Sequence, residues 1–244
     1  MKLAVLSDIH GNRWALEAVL DDVRRRNVTT MINLGDCLYG PLDPRGTADV
    51  LLALDIPTVR GNEDRLLVAP DALPSPTLTY TREQLDEVHL NWLRDLPLCR
   101  RDERGRLAFH ASPDTDDRYL LWDVAPSGAV ARDAAAVRTV LGDEADAELV
   151  LCGHDHVPAV RQPADGILLV NPGSVGLPAY DDDLPHPHRM AAGSPHARYA
   201  VVTGTPIGRR VELVAVPYDW VAAARTAEQN GRPDWARWLR TGEA

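Results

Sequence analysis

Apolar and polar positions alternate between two periods along the chain. Lys2 to Leu6 is a short apolar run that predicts a buried strand ending just before Asp8. From Asn12 to Arg26 the period lengthens. Ala15, Leu16, Val19, Leu20 and Val23 fall on one face, which predicts an amphipathic helix. Met31 to Leu34 predicts a second strand, Asp49 to Leu54 a helix, and Pro57 to Val59 a third strand. Strands alternating with helices favour parallel pairing and an α/β layered fold.

After the Pro-rich stretch Pro70 to Pro76, a helix is predicted over about Thr81 to Asp95. Strands follow at Arg106 to Phe109 and Leu149 to Cys152, with a helix between them at Asp133 to Leu141. Val157 to Arg161 and Ile167 to Val170 read as a hairpin turning at Asp165-Gly166. Further β runs at Tyr199 to Val202 and Val211 to Val216 suggest a second, more antiparallel sheet. Trp220 to Arg240 reads as helical, broken near Gly231 and Pro233. Residues 1–244 are read as one domain with a C-terminal helical extension over about 219–244.

Polar motifs punctuate this pattern. Asp8, Asp36, Asn62, His110 and His154 each stand at or just after the C-terminal end of a predicted strand. In open α/β sheets ligands bind along that edge. Residues distant in sequence would therefore meet on one rim. With His10 and His156 they make two Asp, one Asn and four of the eight His, a set suited to Mn, Fe, Zn, Co or Ni. Cys37 and Cys152 flank the same motifs and read as small buried residues.

The 244 residues carry a formal net charge of −10, which argues against a broad nucleic-acid or anionic-membrane footprint. An aromatic content of 5% gives few stacking platforms for a nuclease groove. No apolar run approaches the roughly 20 residues of a membrane span, and the N-terminal apolar run is too short for a secretion signal, so the cytoplasm is the expected location.

Ser7-Asp8-Ile9-His10-Gly11-Asn12, Gly35-Asp36, Gly61-Asn62-Glu63-Asp64, His110-Ala111-Ser112, Gly153-His154-Asp155-His156 and Asn171-Pro172-Gly173-Ser174-Val175-Gly176 together resemble the calcineurin-like metallophosphoesterase superfamily. More narrowly they resemble its small prokaryotic YfcE-like branch. The resemblance runs from about residue 3 to 178. It implies a four-layer α/β/β/α sandwich and two divalent metal ions, Mn first among the candidates. It would place Asp8, His10 and His156 on one metal and Asn62, His110 and His154 on the other, with Asp36 between them. A hydroxide bridging metals about 3.5–4 Å apart would attack phosphorus in line. The implied activity is hydrolysis of phosphodiesters, with monoesters also open. A non-catalytic module on the same fold and a nuclease are the alternatives.

One position departs from many relatives. Glu63 stands where they carry a His that contacts phosphate and is often assigned as general acid. Glu63 could serve only with a raised pKa. Otherwise it would face away or pair with an Arg. Asn12 and Arg13 are candidates for substrate contact, as is Arg60, and Asp64 for orienting a ligand. Pro178 to Pro195 reads as a surface loop. The expected partner is a small phosphate ester, and a homo-oligomer is compatible with the sequence.

Overall fold

The computed structural model describes residues 2–163 and 166–244, so Asp165 of the expected turn lies outside the described residues. The strands are β1 (Lys2–Leu6), β2 (Thr30–Asn33), β3 (Cys99–Arg101), β4 (Arg106–Phe109), β5 (Trp122–Ala125), β6 (Gly128–Ala131), β7 (Leu149–Leu151), β8 (Ala159–Arg161), β9 (Leu168–Asn171), β10 (Ala179–Asp182), β11 (His188–Ala191), β12 (Ala197–Thr205) and β13 (Gly208–Val216). The helices are α1 (Arg13–Arg25), α2 (Pro44–Leu54), α3 (Asn62–Val68), α4 (Pro76–Gln84), α5 (Glu87–Arg94), α6 (Ala134–Leu141), α7 (Trp220–Gln229) and α8 (Pro233–Thr241).

Two central sheets have the orders β13-β12-β1-β2 and β3-β4-β7-β9-β8. Side chains alternate across each strand, so β1 serves two cores. Leu3 and Val5 face the second sheet, meeting Ala108, Leu149, Leu151 and Val170. Ala4 and Leu6 face the other way, against Leu16 and Val19 of α1. On the far side of the second sheet, Leu107, Phe109 and Val150 pack on Val137 and Leu141 of α6. The order is helices, sheet, sheet, helix. Burial on both faces explains why β1 reads as a continuous apolar run.

The α1 helix begins where Asn12 accepts the N–H of Ala15 at 3.1 Å. Its buried face is the set Ala15, Leu16, Val19, Leu20 and Val23. Each of its larger apolar side chains contributes about 1.5–3 kcal/mol on full burial.

Several expectations are corrected. The C-terminal β runs do not form a separate sheet: β12 pairs antiparallel with β1, extending the first sheet. Apolar periodicity marks strands but not their partners. Pro57–Val59 contributes only a single parallel bridge, Asn33 to Thr58. The helix expected over Thr81–Asp95 is two helices. The first starts at Pro76 behind the Ser75 cap, and the Asp86 carboxylate restarts the second by accepting the N–H of Val88 and His89. The presumed loop at 178–195 contains the hairpin β10–β11, with His188 and Met190 buried.

Candidate metal centre

The parallel strands β1 and β2 end beside the parallel strands β4 and β7. Their outgoing loops are laced together by backbone hydrogen bonds. Asp8 N donates to Gly35 O at 3.0 Å, His10 N to Asp36 O at 2.9 Å, and Gly153 N to His110 O at 2.7 Å. The Asn171–Ser174 motif fastens the rim. The Ser174 hydroxyl donates to Asp8 O at 2.8 Å, and Asn171 Nδ2 donates to Gly153 O at 3.1 Å.

Local backbone strain concentrates here. Among the described residues seven non-glycine positions have positive φ, and five of them are Asp8, His10, Asp36, His154 and His156. The left-handed region costs an L-residue free energy, and such strain collects at functional sites. Gly153 permits the close approach of two loops: a Cβ there would lie 1.9 Å from Ser7 Oγ.

Two groups of side chains have ligand atoms within 4.8 Å of one another: Asp8, His10 and His156, and Asp36, His110 and His154. A third, His10, Asp36 and Glu63, overlaps both. His10 and His156 bring their Nε2 atoms to 3.0 Å, and His156 Nε2 lies 3.4 Å from Asp8 Oδ1. His110 Nε2 lies 3.3 Å from Asp36 Oδ2 and 3.1 Å from Asn62 Oδ1. All seven expected residues therefore meet.

Neighbouring carbonyls fix the ring orientations. His110 Nδ1–H donates to Leu34 O at 2.8 Å, which leaves Nε2 facing the cluster. His154 Nε2–H donates to Asp117 O at 3.1 Å, which leaves Nδ1 free. Asp8 Oδ1 is buried with no hydrogen-bond partner. A buried carboxylate oxygen without a donor, among imidazoles and an amide oxygen, suits a divalent cation.

Electrostatics in the metal-free protein follow from the pairing. Burial lowers the His110 pKa, but Asp36 and Asp8 outweigh this and raise it to about 10. His10 is likewise lowered by burial but raised to about 9 overall, chiefly by Glu63. Asp8 and Asp36 are pushed up by burial yet held below the usual carboxylate range by the adjacent histidines. Burial and the neighbouring His110 lower His154 to about 4.

Glu63 neither faces away nor pairs with an arginine. Its Oε2 approaches His10 Nδ1 at 2.9 Å outside hydrogen-bonding geometry, and its carboxyl lines the cavity. Burial raises its pKa to about 7 against the opposing effect of His10. Its N–H donates to Asp36 Oδ1 at 2.9 Å. Asp64 accepts from the backbone N–H of Asp36, Cys37 and Gly61.

Asn12 and Arg13 do not line the cavity. The Asn12 side chain caps α1 and donates to Gly176 O at 2.8 Å. Arg13 is half exposed and paired with Glu17 at 2.7 Å. Arg60 is held by Asp116 at 3.1 Å. Burial pushes the thiols of Cys37 and Cys152 well up, which disfavours thiolate. The pattern of strand ends did not reveal the aromatic walls. Tyr119 packs on the His154 ring at 4.7 Å and Tyr180 on the His156 ring at 4.6 Å, while Trp235 and Trp238 approach from α8. Only the i, i+3 spacing of the two tryptophans hinted at a shared face.

Residues 1–188 match the model of the calcineurin-like phosphoesterase superfamily domain. The chain belongs to this superfamily. A metallophosphoesterase from Sphaerobacter thermophilus superposes with a TM-score of 0.75 at 26% identity, covering 98% of each chain. An uncharacterised protein of Methanocaldococcus jannaschii is 26% identical over 96% of this chain and 94% of its own length. A putative diadenosine tetraphosphatase shares the fold, with a TM-score of 0.56 at 18% identity over 88% of this chain and 94% of its own. Membership in this phosphoesterase superfamily, with the ligand clusters, indicates divalent metal binding. Among the described residues no helix is long and apolar enough to cross a membrane.

Proposed function

We propose that this protein is a binuclear-metal phosphoesterase with a preference for phosphodiesters. The observation that carries the reading is the convergence of two three-residue ligand groups on one buried rim. In this reading Asp8, His10 and His156 hold one ion, and Asn62, His110 and His154 hold the other. Asp36 belongs to both halves because its carboxylate lies within reach of His110 and of His10. Bound divalent ions supply Lewis acidity toward phosphoryl oxygens and lower the pKa of a water ligand from about 15.7 toward about 7.

The remaining work falls to the chain's own residues. Leu34 O and Asp117 O fix the tautomers of His110 and His154. Asp64 holds the backbone at Asp36 and Gly61, so the carboxylate and Asn62 stay in register. Glu63 lines the cavity, and in the metal-free protein burial raises its pKa against the opposing effect of His10. The diester preference is supported by two cavities of about 200 and 660 Å³ that share Asn62, Tyr119, His154 and Asp182. A diester has two substituents to place, a monoester one.

The test is a hydrolysis screen of phosphomonoesters, linear diesters and cyclic nucleotides, using apo-protein reloaded with Mn, Ni, Co, Zn or Mg. Turnover of linear diesters above monoesters is expected. No hydrolysis with any metal would instead favour a non-catalytic module.

A further inference from the structure

His156 lacks the anchor that the other three histidines of the rim have. The carbonyls of Tyr39, Leu34 and Asp117 each hold a ring nitrogen, of His10, His110 and His154 respectively. His156 Nδ1 is buried with no hydrogen-bond partner among the described residues. A metal-bound imidazole ordinarily donates from its other nitrogen. The backbone of the same turn is strained, with φ of 70° at His154 and 60° at His156. Something besides local hydrogen bonds must fix this turn.

Two tyrosines are placed to do so. Tyr119, from the loop before β5, packs on the His154 ring at 4.7 Å between centroids, tilted by 33°. Tyr180 of β10 stands edge-on to the His156 ring at 4.6 Å. Each tyrosine therefore bears on a histidine of a different ligand group. Their hydroxyl oxygens are 2.5 Å apart. A hydroxyl has one proton to donate, so the order of donation follows from its neighbours. His188 Nδ1–H donates to His186 O at 2.9 Å, which leaves Nε2 to accept from the Tyr119 hydroxyl at 3.0 Å. Tyr180 then donates to Tyr119, and its proton also faces His154 O at 3.1 Å. Tyr180 and His188 are diagonal neighbours on one face of the β10–β11 hairpin, where Tyr180 pairs with Met190 and Asp182 with His188. Tyr119 and His188 are both buried. A buried polar chain with its members satisfied rigidifies what it touches.

We propose that Tyr119 and Tyr180 form a hydroxyl-linked clamp on the Gly153–His156 turn, anchored by His188, and act as positioning residues for one ligand of each ion. The clamp rests on the two-metal part of the phosphoesterase reading.

The test is calorimetric titration of the full, metal-stripped chain with Mn. Tyr119→Phe and Tyr180→Phe keep both rings and break the same hydrogen bond. Each is expected to weaken Mn binding about threefold to tenfold. The double variant is expected to bind within about twofold of the weaker single variant, because the second change has no shared bond left to break. Independent roles would give additive losses instead. The Tm of each metal-free variant separates positioning from folding. A lower Tm with unchanged Mn affinity overturns the clamp, as do additive losses or no loss at all. Should the tyrosine variants not fold, His188 decides. His188→Gln still offers Tyr119 an acceptor and is expected to bind Mn within about twofold of wild type, with His188→Ala about threefold weaker. Equal affinities in these two variants sink the anchor and the clamp with it. If wild type takes up no Mn, the two-metal reading falls and takes the clamp along. If the Mn affinities respond as stated in a protein that hydrolyses no ester, the clamp stands and the hydrolase reading falls.

Discussion

Asp64 accepts the backbone N–H of Asp36 at 2.9 Å although its own side chain does not line the cavity. It also accepts from Cys37 N at 2.8 Å and Gly61 N at 2.9 Å, so one carboxylate ties the turn after β2 to the start of α3. Asp64→Ala would leave three buried donors unpaired and let Asp36 and Asn62 drift. The expected outcome is a folded protein with metal affinity or activity reduced about 10- to 100-fold. Metal content by elemental analysis, beside circular dichroism, checks this. Unchanged metal content would remove Asp64 from the support of the site.

On the proposed reading His154 serves one ion and not the other, so that ion can be removed by itself. His154 belongs with Asp36 and His110, whereas Asp8, His10 and His156 form the other group. His154→Ala should therefore lower bound metal from about two ions to about one per chain. Ligands that bind only the folded state stabilise it by about 2.7 kcal/mol at a hundredfold excess over Kd. Chelation should accordingly lower the wild-type Tm, and the drop should be smaller in His154→Ala. A metal-stripped, folded protein with full activity would end the two-metal reading.

The rim was legible in the sequence because its members sit at the ends of apolar runs, and such runs locate strand termini well. Asp8, Asp36, His110 and His154 all follow strands or a strand-terminal turn, as the pattern predicts. What the pattern could not supply was partnership between distant segments. The pairing of β12 with β1 depends on which faces need cover, not on local period. Tyr180 illustrates the same limit in the site. It lies in a Pro-rich stretch that reads as a loop, yet its hydroxyl donates to His154 O at 3.1 Å. Asn12 misled in the opposite direction. Its place beside His10 suggested substrate contact, while its side chain caps α1. Sequence proximity to a ligand says little when the next residue starts a helix facing elsewhere.

Glu63 lines the cavity, and in the metal-free protein burial raises its pKa to about 7 against the opposing effect of His10. A proton donor matters most when the leaving oxygen is basic. General acids contribute about 10²- to 10⁴-fold. Glu63→Gln is therefore expected to slow hydrolysis of alkyl esters by at least about tenfold and of nitrophenyl esters far less. Comparison of kcat/KM across a leaving-group series measures the difference. Equal losses at both ends of the series would count against the acid role.

Asp22 links α1 to β12 away from the metal centre. Its Oδ2 accepts from the Tyr199 hydroxyl and from Arg26 Nε, each at 2.6 Å. Burial raises its pKa, but these donors more than offset that and lower it below the usual 3.8. A carboxylate with a folded pKa below its unfolded value stabilises the fold above the unfolded pKa. That stability disappears as pH falls through the folded one. Asp22→Asn should cost about 1–3 kcal/mol at neutral pH, since it weakens charge-assisted hydrogen bonds. The gap between wild type and variant should close as pH drops below about 4. Urea unfolding at a series of pH values reads this directly. A gap that stays constant from pH 7 to pH 3 would show that the loss comes from packing rather than from the carboxylate's charge.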